Sequence, residues 1–320
     1  MTGRADRPRT IAGAAGMAGG LPGARRGWSG LRMARIGLIV VFAALPMAAL
    51  AQGAPEPGTQ ALQDGTMSAD LVRQVLHLDR LDALIVVEIE AEVRADAEAD
   101  PTGRTYDEQL LKAAEGSLSA ERIGALVARD LGAQMEPLDP AAIAPAIAFH
   151  ASDLGQRVAA RSLAARAVMA KQGGIDAALA SFDAAASRAD PRVDAVRRLV
   201  EAQGAVDAAV AYAMNNTLAL MAGMDSAVPG SVDPEADRID KIAGQESSVR
   251  AGQTGTTEAL MFLALAPLSD AEMETLIRQA GTPASRRLDA MLQQSYSAAM
   301  QTIMHEMGGK LARALRDVSL

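Results

Sequence analysis

Apolar residues recur along this chain at intervals of three and four. Leu78, Leu81, Ile85 and Ile89 make one such stripe, the period of an α-helix with one face turned to a core. The run Leu84-Ile85-Val86-Val87 has the composition of a strand. Its polar neighbours Asp79, Asp82, Glu88 and Glu92 continue at helical length, however, and a helix is expected. Glu88, Glu92 and Asp96 then fall at i, i+4 and i+8. With Glu90, Glu98 and Asp100 they predict a solvated acidic face under some mutual repulsion. A regular helix offers these oxygens too sparsely for calcium, which takes six to eight from a tight loop.

Helix starts are marked along the whole length. Asp139-Pro140, Asp190-Pro191, Asp233-Pro234 and Thr282-Pro283 each set a capping oxygen before a proline. The oxygen accepts an orphan backbone N–H, and proline's fixed φ suits a first helical turn. Ser269 with Glu272 reads as a capping box, and Ser68 as the cap of the first mature helix. Gly103, Gly173-Gly174, Gly204, Gly281 and Gly308-Gly309 read as breaks or caps, and residues 225–233 as an internal linker.

A repeat is visible at a constant offset of 130. Pro137 matches Pro267, Leu138 Leu268, Ala141 Ala271, Ile147 Ile277, Arg157 Arg287 and Ala160 Ala290. Ser152 falls on Thr282, a cap on a cap, and Ile143/Met273 and Val158/Leu288 keep apolar character. A fainter echo pairs Val72–Leu76 with Val196–Val200, and Leu81-Asp82-Ala83 with Val206-Asp207-Ala208. The expectation is an all-α domain of roughly ten to twelve helices in two tandem halves, 68–187 and 188–312, each burying an amphipathic face on the other.

Within the first copy, Phe149, Ser152, Gly155 and Arg157 spell an aromatic–x–x–Ser–x–x–Gly segment. It resembles the segment of an exported bacterial family, the domain of unknown function numbered twenty fifty-nine, and 268–288 resembles it again. The second copy departs from it: Gln279-Ala280 replaces the aromatic pair and Ser285 stands for Gly155. The resemblance implies an all-helical periplasmic protein and no particular reaction.

The front of the chain breaks the pattern. Residues 36–50 form an uninterrupted apolar run after Arg35, followed by Ala49-Leu50-Ala51 and then Gln52, the layout of a secretory signal peptide. It is short for a membrane span, which needs about 20 residues. Residues 1–51 are therefore expected to be removed near Ala51, with Met33 a candidate true start and no span left after cleavage. Residues 52–67, rich in Gly, Pro and Gln, read as a flexible tether, and 313–320 as a C-terminal tail.

Composition narrows the chemistry. The chain of 320 residues has no cysteine, which excludes disulfides, thiolate metal sites and a thiol nucleophile. Its net charge is −8. Residues 1–51 hold seven arginines and one aspartate, leaving 24 basic against 38 acidic residues and a net −14. An acidic exported chain argues against nucleic acid as a partner. Aromatics at 2% argue against β-rich ligand platforms. The sequence offers no Walker A or G-x-G-x-x-G loop, so no nucleotide cofactor is expected.

Candidate catalytic sets fail on spacing. His305-Glu306 opens like a zincin helix, but the second ligand position is Gly309. His150, Ser152 and Asp153 lie too close in sequence to act as base, nucleophile and orienter, and Ser152 reads as a cap. His77 and His305 read as helix-surface or interface residues. Asn215-Asn216-Thr217 fits a glycosylation sequon only in form, since it falls mid-helix. Met300, Met304 and Met307 share a face, as do Met214, Met221 and Met224. Such thioethers bind copper(I), but at helical spacing they more often fill a core. No catalytic, cofactor-binding or metal residue is assigned. The sequence reading is a non-catalytic periplasmic binding or interaction module with a periplasmic or envelope protein as partner. The alternatives are a carboxylate-dependent hydrolase and a methionine-based copper or cation binder.

Overall fold

A computed structural model of the chain describes residues 67–99 and 104–318. The expected signal peptide, its cleavage point and all of the tether but Met67 lie outside these residues, as does Gly103. Thirteen α-helices occupy the described part, without a strand: α1 Ala69–Val75, α2 Leu78–Ala99, α3 Arg104–Glu115, α4 Ala120–Met135, α5 Ala144–Ala151, α6 Asp153–Met169, α7 Gly174–Ser187, α8 Pro191–Gln203, α9 Ala205–Ala227, α10 Glu235–Ala243, α11 Glu246–Leu265, α12 Asp270–Ala280 and α13 Pro283–Val318. A 3-10 turn, Pro140–Ala142, precedes α5. The fold is all-α, as the periodicity requires.

Local chemistry sets most of these boundaries. Ser68, Asp139, Asp190 and Thr282 cap through the bonds expected of them, and Ser269 and Glu272 form the reciprocal box. Asp233 does not cap. Its carboxylate takes Lys241 instead, and α10 starts after Pro234 without a side-chain cap. The linker is shorter than expected because α9 runs to Ala227, where Asp225 accepts the N–H of Gly230. The last helix continues to Val318, so most of 313–320 is helical.

The expected breaks at Gly308 and Gly309 are absent. Both lie inside α13, which packs along α9. A Cβ on Gly308 would strike the carbonyl oxygen of Leu220, and one on Gly223 that of His305. The glycines let two backbones approach, and the surrounding helix compensates their low propensity.

Two hydrophobic cores result. The first gathers Val72, Ile85, Ile123, Val127, Ile147, Leu220, Tyr296, Ile303 and their neighbours, from α1 to α6, α9 and α13. The second gathers Val158, Phe182, Val196, Leu199, Met261, Leu276 and others from α6 to α9, α11 and α12. Neither core is confined to one sequence half. Helix α6 packs on α11, and α13 packs on α4. The corners at offset 130 agree bond for bond. Ser152 Oγ donates to Phe149 O (2.6 Å) and accepts Gly155 N–H (3.2 Å). Thr282 Oγ1 donates to Gln279 O (2.8 Å) and accepts Ser285 N–H (3.2 Å). The first corner joins its helices through one residue, Ser152, and a Cβ on Gly155 would strike Phe149 O. The second has two joining residues and accommodates Ser285.

Candidate functional site

The acidic face expected on α2 is buried in part, and the side chains of Asp96, Glu98 and Asp100 lie outside the described residues. Glu88 is 2% exposed and Glu92 is buried as well. Arg166 of α6 donates to Glu88 at 2.5 Å, both side chains being out of solvent. Burial pushes the Glu88 carboxyl up from its ordinary range, against the pull of Arg166. One turn and a half earlier, Asp82 accepts Tyr296 Oη at 2.7 Å and Arg73 at 2.9 Å. Burial raises its carboxyl too, opposed by those two donors. Tyr212 of α9, buried beside this cluster, bonds Asn216, and burial holds its phenol far from ionisation. The group is a polar seam between helices from both halves. Sequence alone missed it because Arg166 is 78 residues from Glu88 and Tyr296 is 214 from Asp82.

The other candidates resolve singly. His150 is buried, and burial lowers its pKa to about 4, so the ring is neutral near neutral pH. Ser152 is occupied as a cap, Asp153 is exposed, and the three form no triad. His305 is exposed on α13, and its neighbour Glu306 pairs with Arg122. His77 joins α1 to α2 with φ 47° and lies 3.4 Å from Gln156 Oε1. Met224, Met300, Met304 and Met307 are core residues packed among apolar neighbours, while Met214 and Met221 are half-buried. Asp289 on α13 is 7% exposed, and burial raises its pKa to about 7. Among the described residues no group of three or more His, Asp or Glu side chains is placed to hold a metal, and no helix is long and apolar enough to cross a membrane.

Open space lies elsewhere, around the α8–α9 corner at Gly204, where φ is 60°. A groove of about 630 Å³ is lined by Arg198, Glu201, Ala202, Gln203, Ile277 and Arg286. A second, of about 300 Å³, shares Glu201 and Gly204 and continues over Arg197, Asp207, Arg250 and Glu258. Most of the guanidinium groups are engaged: Arg198 grips Glu274 with both nitrogens (2.6 and 2.9 Å), Arg250 meets Asp207 at 2.5 Å, and Arg197 meets Glu258 at 3.5 Å. Among the described residues Glu201 and Arg286 have no partner of opposite charge. Sequence reading passed over both. The usable signal was the offset of 130, which sets Arg286 opposite Gln156. Comparison with protein-family models, curated proteins and solved structures yields no match to this chain.

Proposed function

We propose that the protein is an exported, non-catalytic binding module made from two copies of one six-helix unit whose last helices are exchanged. In this reading α1–α6 corresponds to α8–α13, and α7 joins the copies. The helix order, the two corners with matching bonds and the reciprocal packing of α6 on α11 and α13 on α4 support it. Repeated units of this kind bury a continuous core by packing on one another.

One observation carries the functional part. The buried acids Asp82 and Glu88 are bonded to a tyrosine and to arginines inside the bundle, whereas the unpaired charges Glu201 and Arg286 line an open groove. A hydrolase needs its acids at a cleft where substrate reaches them; a binding module needs charges at its surface. Native mass spectrometry of protein recovered from the periplasm, without chelators, tests this reading. A chain beginning at Gln52 is expected, carrying a non-covalent adduct. An uncleaved chain in membranes would overturn export. Turnover of esters, amides or phosphate esters that disappears in Asp82→Asn or Glu88→Gln would overturn the non-catalytic assignment.

A further inference from the structure

The α1–α2 and α8–α9 corners occupy equivalent places in the two units. At the first, Gln156 of α6 reaches across: its Nε2 donates to His150 O (2.6 Å) and Val75 O (3.3 Å), and its Oε1 lies 3.4 Å from His77. Ile147 of α5 is completely buried. At offset 130 the counterparts are Arg286 and Ile277. Arg286 is exposed and forms no such bridge, Ile277 is half-buried, and Gly204 stands at the positive-φ position that His77 fills. The corner that a glutamine closes in one unit is a groove of about 630 Å³ in the other.

Its lining indicates what fills it. Arg286 offers a guanidinium and Glu201 a carboxylate, neither neutralised by a described residue. Ala202 and Ile277 supply an apolar surface between polar groups. Gln203, which also lines the groove, has an amide oxygen that receives no donor. A guanidinium suits a carboxylate, and a carboxylate with an amide oxygen suits an ammonium. The volume falls in the range of small-molecule sites, about 300–1,000 Å³.

We infer that this groove binds a small zwitterion of the amino-acid or short-peptide class, carboxylate on Arg286 and ammonium on Glu201. The inference rests on the binding-module reading. Its test is isothermal titration of the folded protein with trialanine bearing free ends, beside the N-acetylated and C-amidated forms, with each peptide recovered and weighed by mass spectrometry. Saturable binding of trialanine is expected. Blocking either end, Arg286→Gln or Glu201→Gln should each weaken it about tenfold, the equivalent of ~1.4 kcal/mol, with the melting temperature unchanged. Arg286→Gln installs at that position the residue that stands at 156 in the first copy. No saturable heat at about 10 mM peptide would overturn the site while leaving the module reading to its own test. Binding indifferent to both end groups and both variants would overturn it as well. Peptide that binds as expected but returns cleaved would uphold the groove and overturn the non-catalytic reading.

Discussion

At the α1–α2 corner Gln156 donates to Val75 O and His150 O, and Ile147 is buried; the residues at offset 130, Arg286 and Ile277 beside the α8–α9 corner, are exposed and half-buried. The two cores differ in the same sense. Around the first, some charged groups point inward: Asp82, Glu88 and Arg166 are buried and bonded, while Arg122–Glu306 joins α4 to α13 at the surface. Around the second they stay outside, where Arg157–Glu272, Arg192–Asp270, Arg198–Glu274 and Arg250–Asp207 link helices at the surface. Interior polar bonds tie helices together out of solvent, whereas surface pairs leave charged rims.

The largest effect should come from breaking an interior pair. Arg166→Met leaves Glu88 buried without its cation and should cost about 3–5 kcal/mol in urea unfolding. Glu88→Leu with Arg166→Met should recover most of that, since apolar replacement of a whole buried pair is often neutral. A double variant as unstable as the single one would show that the pair has a role beyond charge compensation.

Titration sharpens the contrast, because two buried groups shifted within the mildly acidic range, His150 and Asp289, both sit on helices of the first core. Asp289 has a folded pKa of about 7 against an ordinary 3.8, so the folded state holds its proton more tightly than the unfolded state. Its contribution favours folding at low pH and is lost as pH rises from about 4 to about 7. His150 is the reverse: a folded pKa of about 4 against 6.5 means stability lost as pH falls through that window. Relative to wild type, Asp289→Asn should make the stability profile rise by about 1.4 kcal/mol per pH unit between pH 4 and 7. His150→Asn should make it fall by about the same slope between 4 and 6.5. Denaturant melts at pH 4.5, 5.5 and 6.5 separate the two, and parallel profiles would contradict both.

Two adjacent glycines test how closely α9 and α13 pack within the first core. Gly308→Ala forces a methyl onto the Leu220 carbonyl and should cost about 2 kcal/mol, the penalty of overpacking. At Gly309 the nearest atoms lie 3.5 Å and more from an added Cβ, so Gly309→Ala should be neutral or stabilise by about 0.5 kcal/mol through helix propensity. Equal effects would contradict the close approach of α9 and α13. The smallest change is expected at the second core's rim, where Arg198→Ala should shift the melting temperature by about 1 °C or less, as exposed ion pairs contribute little.

What the sequence disclosed was what is local. Ser68, Asp139, Asp190, Ser269 and Thr282 announce caps because a cap needs only its own next three residues. The stripe Leu78–Leu81–Ile85–Ile89 is buried throughout for the same reason. Local rules failed where a distant partner decided the outcome. Asp233 prefers Lys241 to its own helix start, Gly308 answers to Leu220, and Glu88 has Arg166 beside it. The groove was illegible until both corners could be compared, although the offset relating Arg286 to Gln156 was already in the letters.

The interlocking of the halves is tested most directly by hydrogen exchange across all thirteen helices in wild type and Arg166→Met. Each core draws on both halves, so loosening the seam at α6 should speed exchange in α2 and, in the other half, in α11 and α9. Acceleration confined to residues 68–187, with α9 and α11 as protected as before, would contradict the exchange of last helices and return the protein to two lobes in sequence order.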